Sequence, residues 1–219
     1  MSVTSESVRA LLDSSDFGDR LRAVNQLRQL EREIGFELIL RAVNDAHPRV
    51  RYAAVSQLAT LGQHNLSQAS AILRGRLRDP DPDVQAAAAD SIGALQLTEA
   101  FEELQQLYNT SSEWLVRFSI VAGLGSLGDR RGFEMLVDAL DSDNELLKTV
   151  AIGSLGELGD RRAIGLLTPY ATDPDWQIRF RVVQALGHLD GPDVRDTLQA
   201  MAQDTVEQVA QEARSYLKS

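Results

Sequence analysis

The apolar residues of this chain recur with the period of a helix, and one arrangement of them returns along its whole length. Val50, Ala53, Ala54, Leu58 and Leu61 stand at i, i+3, i+4, i+8 and i+11, which puts them on one face of an α-helix. An equivalent leading apolar residue stands at 50, 84, 116, 147, 178 and 209, at intervals of 34, 32, 31, 31 and 31 residues. A further copy lies 31 residues upstream, where Arg20, Ala23, Leu27 and Leu30 match Arg51, Ala54, Leu58 and Leu61. Ahead of the stripes are acidic or proline-bearing turns such as Asp79-Pro-Asp-Pro-Asp. Behind them come breaks such as Leu61-Gly62 or Leu127-Gly128-Asp129, then a second apolar stripe: Phe133, Leu136, Val137 and Leu140 in one copy, Ile164, Leu167 and Ala171 in another. The glycine fits a left-handed helix end, and the aspartate fits a cap on the helix that follows.

A single helix hairpin of this kind cannot bury its own apolar face, so the copies must stack. The pattern predicts an all-α fold, a right-handed superhelical solenoid of short helix pairs of about 31 residues each. About six pairs are expected, with a short N-terminal helix before them and a single capping helix after them, as one domain over residues 1–219. No stretch alternates with the period of a strand. Glycines 123, 125, 153 and 156 fall inside predicted helices, where each costs up to ~1 kcal/mol against alanine. Close packing between neighbouring copies is the simplest reason for them.

Composition narrows the chemistry. The chain has no cysteine, which excludes thiolate metal sites, cysteine nucleophiles and thioether attachment of a cofactor. Its three histidines, His47, His64 and His188, lie far apart, so no metal site is expected. Asp79, Asp81 and Asp83 have carboxylate spacing but neither the glycine nor the terminal glutamate of a calcium loop. No phosphate loop, dinucleotide fingerprint or nucleophile elbow occurs, and no catalytic residue is assigned. A net charge of −10 disfavours nucleic acid as a partner. That charge is unevenly spread: residues 1–78 carry 11 Arg and 8 Asp/Glu, and residues 79–219 carry 11 Lys/Arg and 24 Asp/Glu. The opening residues lack a basic segment followed by an apolar one, and no apolar run approaches the ~20 residues of a membrane span. The expectation is a cytoplasmic protein without direct membrane insertion.

Aromatic residues are only 5 % of the chain, so where they stand matters. With position 50 at zero and 100° per residue, Tyr52 lies near 200°, opposite the core stripe. Phe118 and Phe180 occupy the same register, while Ala86 and Thr149 stand there in the copies between. Trp114 and Trp176 precede these phenylalanines by four residues, which places each above its Phe on one helix face. Arg51, Arg117 and Arg179 adjoin the rings. Two readings stay open. The rings pack on adjacent turns and the arginines pair with turn aspartates such as Asp45 and Asp173. Or Arg51, Tyr52, Trp114, Arg117, Phe118, Trp176, Arg179 and Phe180 form a row of anchors for a partner, with arginines to clamp carboxylates and rings for stacking. The pairs Arg130-Arg131 and Arg161-Arg162 follow Gly-Asp at predicted helix starts, where positive charge opposes the helix dipole. Neighbouring carboxylates are the expected compensation.

The two-helix unit, with its Pro or acidic turn, its Val-Arg and its trailing Leu-Gly-Asp, resembles HEAT repeats. At about 31 residues the unit is shorter than the ~40 of the long class, and it is similar to the short HEAT-like repeats of the phycobilin lyase group in cyanobacteria. The strings Asp16 to Glu31, Arg51-Tyr-Ala-Ala-Val-Ser-Gln57 and Glu113-Trp-Leu-Val-Arg-Phe-Ser119 resemble the NblB-like phycobilisome degradation proteins. That resemblance implies phycobiliprotein subunits as partners, assistance in removing the bilin chromophore, and a bilin held only transiently and non-covalently. It implies two alternatives as well: a bilin lyase or isomerase subunit, and a non-catalytic scaffold for protein–protein interaction.

Overall fold

Prolines and short polar side chains set where the helices begin. Pro48 and Pro82 open their helices, where the missing N–H has no partner to lose. The residue ahead of each accepts a backbone hydrogen bond, His47 from the Arg49 amide and Asp81 from the Asp83 amide. Asp16, Asn65, Asn144 and Asp175 cap other helices in the same way. At the front, Thr4 and Ser7 form a reciprocal capping box.

The computed structural model describes residues 3–218. Among these residues there are fourteen α-helices and no β-strand. They are α1 (Ser5–Leu12), α2 (Phe17–Gln26), α3 (Arg32–Ala42), α4 (Pro48–Leu61), α5 (Leu66–Arg76), α6 (Pro82–Ala94), α7 (Phe101–Thr110), α8 (Trp114–Leu127), α9 (Phe133–Leu140), α10 (Glu145–Leu158), α11 (Ala163–Leu167), α12 (Trp176–Gly187), α13 (Pro192–Met201) and α14 (Glu207–Leu217). The twelve helices from α2 to α13 form six consecutive pairs, with α1 before them and α14 after them. The result is the all-α solenoid of stacked short helix pairs that the repeat spacing predicts. Leading helices pack on leading helices, α2 on α4, α4 on α6, α10 on α12 and α12 on α14. Among the described residues no helix is long and apolar enough to cross a membrane.

The chain divides into two compact units, one running to Gly123 and the other from Leu124. In the first, Leu27, Leu38, Leu58, Leu73, Ile92 and Ile120 are fully buried. In the second, Leu136, Ile152, Leu155, Val182 and Leu186 form the equivalent core. Each such side chain contributes ~1.5–3 kcal/mol by leaving water.

Helix approach explains most of the helical glycines. A Cβ on Gly156 would lie 2.4 Å from the Ala185 Cα, one on Gly123 would lie 3.0 Å from the Ala89 carbonyl oxygen, and one on Gly125 would lie 2.9 Å from the Ser154 Cα. Gly153 departs from the expectation, because nothing stands within 4 Å of its would-be Cβ. Gly62 departs differently. It is not a left-handed helix end but continues right-handed at φ −61°. It must be small because a Cβ would sit 2.9 Å from the side chains of Ala69 and Leu95. The left-handed ends are Gly128 and Gly159, at φ 70° and 68°, and the matching position after α6 is held by Gln96 at φ 54°. The stripe Ile164, Leu167, Ala171 does not lie on one α-helix either. α11 stops at Leu167 and continues as a 3₁₀ turn over Thr168–Thr172, because Pro169 lacks an N–H and its ring crowds the carbonyl four residues back.

Candidate functional site

Arginines at equivalent positions in three copies make the same clamp. Nε and Nη2 donate to the two oxygens of one aspartate: Arg20 to Asp45 at 2.6 and 2.9 Å, Arg51 to Asp79 at 2.9 and 2.7 Å, Arg179 to Asp204 at 2.6 and 2.8 Å. Nη1 donates to the carbonyls six and five residues upstream, Ser14 and Ser15, Asp45 and Ala46, Asp173 and Pro174. Each aspartate then accepts the amide two residues on, from His47, Asp81 and Val206. One guanidinium thus ties its own turn to the turn of the next copy. Arg51 and Arg179 do reach Asp45 and Asp173, but through backbone carbonyls; the carboxylate comes from the following copy. The sequence signal for this is an aspartate 25 or 28 residues after the arginine.

Electrostatics follow the clamp. Burial pushes the Asp79 carboxyl upward, but hydrogen bonds from Arg51, the Asp81 amide and Arg76 outweigh it and hold the group below the ordinary carboxylate range. Asp45 is lowered in the same balance by Arg20 and the His47 amide. Asp204 is lowered chiefly by its hydrogen bonds from Arg179. Arg117 takes another partner: Nη2 donates to the Tyr108 hydroxyl at 2.9 Å and the guanidinium lies 4.5 Å from that ring. The Gly-Asp-Arg-Arg loops compensate their own charge, with Arg131 on Asp129 at 2.6 Å and Arg162 on Asp160 at 2.9 Å. Arg162 also lies 3.8 Å from the Phe133 ring centre.

The rings behave otherwise. Tyr52 is 47 % exposed, Trp114 52 % and Trp176 41 %, while Phe118 and Phe180 are half-buried. Trp114 meets Phe118 edge to face at 6.4 Å on α8, as their four-residue spacing predicts. At the same register Ala86 is buried, and the Thr149 hydroxyl donates to the Glu145 carbonyl at 2.7 Å. In the first unit Tyr52 lines a cleft of about 550 Å³ with Leu21, Asn25, His47, Arg49 and Asp81. His47 is stacked there on Phe17, 3.9 Å apart and nearly parallel. Phe17, His47 and Arg49 are not among the anchor residues read from the sequence. Their grouping depends on α2, α4 and α6 meeting at their N-terminal ends, which no local spacing reveals. One turn along α6 from Ala86, the Asp90 carboxyl accepts from the Ser119 hydroxyl at 3.1 Å. Crowding by protein pushes it up to about 6, opposed by that hydrogen bond.

Comparison with known proteins agrees with this architecture. The family model for HEAT repeats matches residues 5–81, 70–152 and 133–218. Among solved structures, the complex of CpcE and CpcF of phycocyanin lyase from Nostoc sp. PCC7120 contains a chain similar in fold. The likeness has a TM-score of 0.66 at 19 % identity and covers 100 % of this chain and 95 % of that one. The Escherichia coli protein YibA is similar at a TM-score of 0.69 and 17 % identity, covering 98 % of this chain and 81 % of that one. An archaeal HEAT-like repeats protein from Thermococcus onnurineus NA1 is similar at 0.58 and 12 %, covering 100 % and 97 %. No curated protein matches at the level of sequence.

Proposed function

The chain belongs to the HEAT-repeat family, and on that footing we propose that it binds phycobiliproteins and assists removal of their bilin chromophore during breakdown of the phycobilisome. The observation that carries the reading is the set of half-exposed rings, Tyr52, Trp114 and Trp176, beside arginines already spent inside the fold. A stack of small helix pairs gains no core from rings left half in water. Tyrosine and tryptophan are residues that interfaces use as anchors, and their flat faces suit a conjugated pigment. Similarity in fold to a chain of a phycocyanin lyase complex, over the full length of this one, supports a phycobiliprotein as the partner. The chain has no cysteine, so it holds a bilin reversibly, by docking on the pigmented subunit and opening or capturing its pocket.

The test is a visible spectrum. Chromophorylated phycocyanin subunits mixed with the protein are expected to lose intensity in the red band over time and to co-elute with it on gel filtration. An unchanged band with no complex contradicts the proposal. A second reading, a subunit of a bilin lyase or isomerase, is favoured by the same likeness to a lyase complex. It predicts the opposite spectral change, a gain of bilin absorbance on the apo-subunit. A scaffold that ignores pigment predicts binding without any spectral change.

A further inference from the structure

Gly153 shares with the helical glycines Gly75 and Gly165 the lack of any packing neighbour that would require it to be glycine, and it opens into a polar cleft. Gly153 lies in the middle of α10, where glycine weakens a helix. Gly156, three residues on, is forced by contact with Ala185, whereas a Cβ on Gly153 would meet nothing within 4 Å. The space it leaves belongs to a cleft of about 220 Å³ within the second unit, lined by Gly153, Glu157, Arg181, Gln184, His188 and Tyr216. Arg181 is exposed, and its guanidinium donates to the Gln184 amide oxygen at 3.4 Å. The acids nearby are engaged elsewhere, Glu157 accepting from the Ser126 hydroxyl at 3.3 Å and Glu212 from the Gln184 amide at 3.5 Å. His188 and Tyr216 stand edge to face, 6.5 Å between ring centres, and form one wall. Burial and the nearby Glu212 push the Tyr216 phenol above its ordinary value.

We propose that this cleft binds an organic carboxylate carried on a flat ring, specifically the acid arm of a linear tetrapyrrole. Arg181 takes the carboxylate through its fork of N–H donors. The His188–Tyr216 wall takes the ring edge. The volume lies below the ~300–1,000 Å³ of sites that engulf a drug-sized ligand, so the cleft holds one end of the molecule and leaves the rest outside. A small residue at 153 keeps the floor open. The tetrapyrrole identity rests on the function proposed above; the carboxylate chemistry stands on the cleft alone.

The experiment is an absorbance titration of the full chain with biliverdin and with biliverdin dimethyl ester, whose acid arms are blocked. Biliverdin is expected to bind saturably, and the ester at least about tenfold more weakly. Arg181→Gln should weaken biliverdin about tenfold or more and leave the ester unchanged. Gly153→Leu should abolish binding, whereas Gly153→Ala should retain it and raise Tm. Absence of biliverdin binding, equal binding of acid and ester, or unchanged affinity in folded Arg181→Gln overturns the site; that exposed substitution carries the test if Gly153→Leu does not fold. Co-elution with phycocyanin, measured on the same proteins, reports separately. Biliverdin binding without co-elution leaves the site standing and overturns the docking reading.

Discussion

Single residues carry several of the costs in this fold. Gln96 holds a left-handed backbone conformation that Gly128 and Gly159 hold in later copies. A side chain pays for that conformation and glycine does not. Gln96→Gly is therefore expected to stabilise the chain by about 0.5–1 kcal/mol, read as a higher urea midpoint. Asp90 titrates near 6 in the folded chain, above an unfolded carboxylate. A raised acid adds stability at low pH that is lost as pH rises through its folded value. Asp90→Asn should thus melt higher than the parent at about pH 8, with the advantage gone near pH 4, which parallel Tm series would reveal. The glycines show how far a sequence speaks at this scale. Their presence in helices announced tight contacts, correctly at Gly123, Gly125 and Gly156. Gly153 obeys the same helical spacing but faces open space, and Gly62 is small for a neighbour rather than for its φ. What a glycine faces depends on the adjacent helix, and the chain's own period does not contain it.

At the scale of the element, the clamp is the unit that sets one turn against the next. Arg51 and Asp79 retain 11 % and 0 % side-chain exposure, whereas the surface pair Arg9–Glu37 retains 44 % and 62 %. Removing one member of a buried pair leaves an uncompensated charge, so Arg51→Met should cost about 3–5 kcal/mol. Arg9→Met should cost under ~1 kcal/mol, and denaturant melts of the two variants separate them. Asp45, Asp79 and Asp204 all titrate below their unfolded values. Their contribution is complete above the ordinary carboxylate pKa and is lost as pH falls through the lowered one. Thermal stability should therefore fall steeply below about pH 4, and less steeply in Asp79→Asn. The helices themselves were legible, because a stripe with period 3.6 and a cap at its head declare a helix without help. The clamp was legible only in part. The arginines and turn aspartates were visible, but the pairing skips to the next copy, a distance of 25 or 28 residues set by how the pairs stack. The break at Pro169 was written in a single residue that the apolar stripe runs across.

At the scale of the molecule, a repeat of about 31 residues brings side chains of one register back once per copy. The net charge of −10 conceals a front of residues 1–78 at +3 and a remainder at −13, so a partner has both signs to meet. Stacking consumed the arginines and left the rings. Trp114 and Trp176 are the only tryptophans of the chain, and both are exposed, so their joint replacement by alanine separates anchoring from folding. Each ring is about half out of water, so each truncation costs on the order of 1 kcal/mol of buried area and ring contact and leaves the fold standing. The measurement is gel filtration of the parent and of the Trp114→Ala, Trp176→Ala double variant with chromophorylated phycocyanin, beside a thermal melt of each. The account predicts that the parent co-elutes with the pigment, and that the variant stays folded, melting a few degrees lower, but elutes alone. A variant that co-elutes as the parent does, or that loses its fold with no separate loss of binding, contradicts it.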